Sequence, residues 1–366
     1  MGDLRSNSPS TSQTYLQQLQ DLGYAHSQTP ADRLIGATRS RPEDFVVTED
    51  LGYTLGGTGP HRWLQIRKRN LNTQDVVQVL ANTFDLPQRD IGLSGLKDRN
   101  ALTTQWFSIA SEVAKSLPTA DVLEDDFFTI EHHGFEILDV VDHDRKLKRG
   151  GHKRNHFNIV IRDVQGNDDA IDALLSSMKI QGVPNYFGEQ RFGRNGNNLV
   201  SAERFFKGVL KKPNRQLRGF ILSAARSFIF NQVLSQRVAS GNWNKAIDGD
   251  AIQFDESGSF FHQPELDETV KSRVEDNQCH PTGPLWGRGA PAVTGDALLI
   301  ERQCVEQFPL FIRGLEENGL THQRRALRLL LKNFDWQRCN DRTLTLSFSL
   351  PCGAFATSVL REVIAA

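Results

Sequence analysis

The chain has 366 residues, 38% of them hydrophobic, which suffices for about two domains with their own cores. Its 43 Lys and Arg against 44 Asp and Glu leave a formal charge of -1, so a polyanion must be held by local patches and not by global attraction. No eighteen apolar residues run together and no apolar leader occurs, so neither a membrane span nor an export signal is expected, while four scattered cysteines without a CxxC pair fit a reducing cytoplasm.

Residues 1–30 form a polar leader, and 1–13, rich in Ser and Gln, read as disordered. From residue 42 short strand patterns, "DFVVTE" and "RWLQIR", alternate with a helix over 72–84, where Val76, Leu80 and Phe84 recur behind an Asn/Thr cap. "IGLSG" (91–95) and "QWFSI" (105–109) read as strands, which puts "LKDRN" on the connection between them. Two more strands follow, "FEILDVV" (135–141) and "HFNIVIRD" (156–163). A helix from 167 or 168 ends at Gly182, the position where a left-handed residue closes a helix. "VPNYFGEQRFGRNGNN" (183–198) then changes character, and a domain boundary is expected near 182. A buried helix is predicted over 216–239 and a loop-rich region over 253–295. "TLTLSFSL" alternates as a strand before a final helix in "GAFATSVLREVI".

Residues 142–156 interleave Arg145, Lys146, Lys148, Arg149, Lys153 and Arg154 with His143, His152 and His156. Such clusters bind phosphate backbones because each neutralised phosphate releases a counterion, although a charge run is also how a solvated hairpin looks. Further cations recur at Arg33, Arg39 and Arg41, at Arg62, Arg67, Lys68 and Arg69, and at Lys207, Lys211, Lys212, Arg215 and Arg218. Several patches favour a long anionic ligand. Asp98 lies between Lys97 and Arg99, and neighbouring cations keep a carboxylate ionised, ready as nucleophile or base. An ordinary turn aspartate has the same surroundings. The histidines at 132, 133, 143, 152 and 156 match no common zinc spacing, and the Gly-rich stretch 188–196 lacks the Lys-Ser/Thr ending of a phosphate loop.

"RPEDFVVTEDLGY" (41–53), "GLKDRNALTTQWFSI" (95–109), "NHF" (155–157), "GVPNYFGEQRFG" (182–193), "LSAARSFIFNQ" (222–232), "DGD" (248–250) and "GAFATSVLRE" (353–362) together resemble the tRNA pseudouridine synthase D (TruD) family, in the family's order. The resemblance implies an α+β pseudouridine-synthase core, an antiparallel-rich mixed sheet flanked by helices, over 31–181 and 330–366, interrupted by an inserted TRUD domain at 182–329. It implies isomerisation of a tRNA uridine, at position 13, with a buried Asp98 as the catalytic aspartate in a cationic trough. Phe45, Phe157 and Phe355 would stack on the extruded base, and Asn155 would hold Asp98 or a uracil or ribose edge. Arg39 would pair with Asp98, a role that Arg41 could share. Glu189 and Arg191 are expected to fix the inserted domain's loop. No cofactor, metal or membrane is expected, and the chain is expected to be a monomer. A non-catalytic RNA-binding protein would keep the cations and rings without needing Asp98.

Overall fold

The computed structural model describes residues 24–29, 32–114 and 134–365. His132 and His133 lie outside them. In chain order the strands are β1 (Ile35–Thr38), β2 (Phe45–Asp50), β3 (His61–Arg69), β4 (Gly92–Leu93), β5 (Leu102–Ala110), β6 (Phe135–His143) and β7 (Arg154–Gln165). There follow β8 (Val183–Pro184), β9 (Ala251–Phe254), β10 (Phe260–His262), β11 (Cys279–Leu285), β12 (Gln323–Ala326), β13 (Arg328–Leu329), β14 (Lys332–Asn340) and β15 (Thr343–Pro351). The helices used below are α1 (Thr73–Thr83), α2 (Asp168–Gln181), α3 (Asn197–Phe206) and α4 (Arg215–Ala239). The chain divides into two compact units, one of Leu34–Leu175 with Leu331–Gly353, the other of the described residues up to Arg33, Ser176–Leu330 and those from Ala354.

The first unit is built on a nine-stranded mixed sheet in the order β14-β15-β7-β2-β5-β3-β6, with β1 beside β7 and β4 beside β5. Among its described strands only β2 and β5 pair in parallel. This is the α+β, antiparallel-rich architecture expected. Period-two alternation drives it: β2 buries Phe45, Val47 and Glu49, β7 buries Asn155, Phe157, Ile159 and Ile161, and β15 buries Leu344, Leu346, Phe348 and Leu350. One face is covered by α1, whose Val76, Val77, Leu80 and Ala81 pack on Leu64, Ile66, Phe107, Ile109 and Ile137. The Asp75 carboxylate accepts the Asn72 N–H at 2.9 Å and fixes the start of α1.

The second unit is centred on α4, capped by Asn214 Oδ1 accepting from Leu217 N, with Phe228 edge-on to Phe308. Its four-stranded sheet runs β10-β9-β11-β12. The stretch 253–295 has long loops, as expected, but also holds β10, a helix at Glu268–Glu275, and the buried β11. β11 reads "CHPTGPL", which looks like a loop because proline removes a ladder donor. Here Pro281 pairs with Ile252 of β9 while its carbonyl accepts from Leu327 N at 2.9 Å, and Pro284 pairs with Arg324 of β12.

The described residues at both ends fall in the second unit. Within the polar leader, Tyr24 is buried and stacks on Tyr186, and Ser27 donates to Glu362, so 24–29 are packed chain. The helix Ala356–Val363 falls in the unit of α4 and not with β15, because its buried face meets β8 and Tyr186.

Candidate active site

Residues 94–101 connect β4 to β5, and four side chains hold this loop from beneath. Lys68 of β3, 1% exposed, donates through Nζ to the carbonyls of Leu71 (2.6 Å) and Asp98 (2.9 Å). Burial pulls its pKa down to about 8. Thr73 Oγ1 accepts from Lys97 N at 2.9 Å and donates to Gln105 Oε1, and Gln105 Nε2 reaches Gly95 O. Lys97 Nζ meets Glu49 Oε1 at 2.5 Å, with side chains 7% and 0% exposed. Glu49 also accepts from Ser94 Oγ and Trp106 N. The carboxylate has buried donors on every side.

The two cations beside Asp98 in sequence are thus not its partners. Lys97 turns inward to Glu49 and Arg99 Nε reaches Asn70 O at 3.3 Å. Instead, Arg39 Nη2 donates to Asp98 Oδ2 at 3.2 Å. Arg39, just beyond β1, takes a left-handed φ of 59°, and its Cζ lies 4.2 Å from the centroid of the Phe45 ring. Arg41 is engaged elsewhere: it shares the buried Asp44 with Arg162, whose Nη2 donates at 2.7 Å. Arg162 holds the Asp44 carboxyl below its ordinary pKa. The Asp98 side chain is 41% exposed and Arg39 33%. Asp98 is a surface carboxylate on a rigid loop and not a buried one, because the donors beneath hold its backbone and leave the side chain outward.

Phe45, Phe157 and Asn155 share one face of the sheet, since Val47 pairs with Phe157 and Glu49 with Asn155 across β2 and β7. Both rings are built into the core. Phe45, 2% exposed, meets Phe157 edge-on at 6.1 Å and carries Arg39 on a face; Phe157 stacks on Phe348 at 5.3 Å. A base reaching the Phe45 face that Arg39 covers must displace the guanidinium. Asn155 Nδ2 lies 3.0 Å from His152 Nε2, and its Oδ1 is buried without a hydrogen-bond partner. Phe355 lies in the other unit, half-buried and edge-on to Phe187, with Arg191 5.4 Å from its centroid. Arg191 Nη1 donates to Ser223, and burial lowers its pKa; Glu189 and Arg191 form one short turn.

The segment joining β6 to β7 is a loop tied down through its backbone. Leu147 N donates to Ser108 Oγ, Gly150 N to Ser94 O, and Trp63 Nε1 to Arg145 O. Gly150 thus touches the residue at which the Asp98 loop begins. Arg145, Lys148, Arg149 and Lys153 are exposed, Lys146 and Arg154 half-buried; Arg145 meets Asp144 at 3.0 Å and Lys146 donates to Arg89 O. The cluster at 62–69 is not a free cationic patch: Arg62 pairs with Asp142, Arg67 with Glu136 and Arg69 with Glu43, and Lys68 is internal. Sequence reasoning missed Glu49 and His152 as site residues and misread Lys68. The signal was phase: Lys68 continues the inward alternation of Leu64 and Ile66, and Glu49 that of Phe45 and Val47.

Comparison with known proteins bears on this arrangement. The family model "tRNA pseudouridine synthase D (TruD)" matches residues 21–201 and 196–363. The chain is 42% identical over 344 residues to a tRNA pseudouridine synthase D of Methylococcus capsulatus, covering 94% of each. It is 43% identical over 328 residues to that of Nitrosococcus oceani, covering 89% of each. The crystal structure of a Methanosarcina mazei protein assigned to TruD superposes with a TM-score of 0.69 over 94% of this chain and 97% of that one; at 21% identity the likeness speaks to the fold. With matches at both levels over most of its length, the chain belongs to the tRNA pseudouridine synthase D family.

Proposed function

We propose that the protein is a tRNA pseudouridine synthase that isomerises uridine, at position 13, with Asp98 as its catalytic carboxylate and without a cofactor. Position 13 and the role of Asp98 come from the family resemblance. The observation that carries the reading is the Arg39–Asp98 pair on a loop whose backbone is held by three buried side chains, Lys68, Thr73 and Gln105. In the reaction the bond from C1′ to N1 breaks, the base turns, C5 joins C1′, and the proton lost from C5 is balanced by one gained at N1. An anionic Asp98 is suited to attack the ribose or the base, or to take a proton in a glycal route. Arg39 orients the carboxylate through its hydrogen bond to Oδ2. Asn155 presents a polar edge to the extruded base, and Arg145, Lys146, Lys148, Arg149, Lys153 and Arg154 hold the phosphate backbone.

Among the described residues no helix is long and apolar enough to cross a membrane, and the four cysteines are free, as suits a reducing cytoplasm. The test is pseudouridine mapping of tRNA treated with the wild-type chain and with Asp98→Asn. Asp98→Asn should retain tRNA affinity and form no pseudouridine. Pseudouridine formed by that variant at the wild-type rate would remove Asp98 from the mechanism, and none formed by the wild type would remove the reaction.

A further inference from the structure

Asn155 and His152 are each more than nine-tenths buried, at 9% and 6% exposed, and their side chains meet at 3.0 Å. Which atoms donate in this contact follows from what lies behind the ring. His152 Nδ1 faces Glu49 Oε1 at 3.9 Å, longer than a hydrogen bond but close enough that a lone pair on Nδ1 would face a carboxylate oxygen, whereas an N–H would point its positive end there. Burial first, then the neighbouring Lys97 ammonium, lowers the ring's pKa and keeps it neutral. A neutral ring with its proton on Nδ1 has only a lone pair at Nε2. The amide group of Asn155 must then donate to it. That fixes Oδ1 as the remaining end of the amide, and Oδ1 is buried with no hydrogen-bond partner. A buried acceptor left unpaired costs free energy that a ligand donor recovers.

We infer that His152 is a positioning residue that locks the Asn155 amide with its carbonyl toward the substrate, so that the site selects a base edge bearing an N–H donor, as uracil has at N3, over one bearing an acceptor, as cytosine has there. The inference rests on the proposed function, because it takes Asn155 as a residue that meets the target base. Glu49 links the selection to the loop: the carboxylate that sets the His152 tautomer also holds Lys97, the residue before Asp98.

The experiment uses the full chain with Asp98→Asn as a binding-only background and tRNA carrying uridine or 3-methyluridine at position 13, the methyl group removing the N3 donor. With His152 intact, uridine should be preferred by about tenfold, the size of one hydrogen bond in a buried site. His152→Leu, which offers the amide no acceptor, should bring the preference to within about twofold. His152→Gln, whose side-chain carbonyl can take the same amide proton, should keep it. Thermal unfolding at the wild-type temperature shows that each variant is folded. A preference unchanged in folded His152→Leu, or absent with His152 intact, overturns the inference. Pseudouridine formation by chains retaining Asp98 is read in parallel: if the wild type forms none, the proposed function fails and the inference with it, whereas pseudouridine with an unchanged preference in His152→Leu sinks the inference alone.

Discussion

Lys68 keeps an ammonium group inside the sheet, donating to two backbone carbonyls, one of them that of Asp98. Removing those donors frees the loop at the residue whose carboxylate is proposed to react. In Lys68→Met, a side chain of similar length, kcat for pseudouridine formation should fall about tenfold to a hundredfold, since a shift near 1 Å at a reacting group costs that much, while tRNA affinity stays put. An unaltered kcat would show that the contact does not position Asp98. The same variant has a pH signature. The folded-state pKa of Lys68 is about 8, below the ordinary lysine value, so the unfolded chain binds its proton more tightly. Stability therefore rises as pH climbs from about 8 toward the ordinary lysine pKa. Urea titrations at pH 7 and pH 9.5 should show wild type gaining on Lys68→Met at the higher pH.

At the scale of elements, α2 ends where Gly182 adopts a φ of +73° with its hydrogen 2.9 Å-bonded amide still tied to Met178 O, and a Cβ there would lie 2.5 Å from Leu329 O. Gly182→Ala should destabilise the protein by at least about 1–2 kcal/mol, the left-handed backbone cost alone, and lower the thermal midpoint. An unmoved midpoint would mean that β8 and β13 shift apart without loss. This terminus was legible because a single glycine after a periodic run has few other uses. The long strands β2, β7 and β15 were legible for a related reason: they carry period-two patterns that do not depend on distant residues. β11 was not, because its prolines are tolerated only through its particular neighbours. Nor could spacing show that Lys97 and Arg99 turn away from Asp98 while Arg39, far earlier in the chain, turns toward it. A contact made across the sheet leaves no local trace, and only the family resemblance pointed to Arg39.

For the whole molecule, a formal charge of -1 gives no general pull on tRNA, so affinity must come from where cations collect. Of the clusters visible in the sequence, the one at 62–69 is taken up by carboxylates, while 145–154 keeps most of its charge in solvent. Replacing Arg145, Lys146, Lys148 and Arg149 by Gln should weaken tRNA binding and reduce the slope of log affinity against log salt by roughly 2 to 3, with pseudouridine still formed at saturating tRNA. An identical slope would move the phosphate contacts elsewhere. Composition located a change near residue 182, but the compact units divide at 33/34, 175/176, 330/331 and 353/354: before β1, inside α2 and on either side of the final strand pair. A boundary inside a continuous helix has no compositional mark.

The seclusion of Lys68 also has a chemical side. Its amine, 1% exposed and engaged with two carbonyls, is sheltered from acylating reagents that attack the surface lysines at 148 and 153. Its modification has to wait until β3 opens, so the moment at which an acyl group arrives on Lys68 marks the moment at which the floor beneath Asp98 gives way.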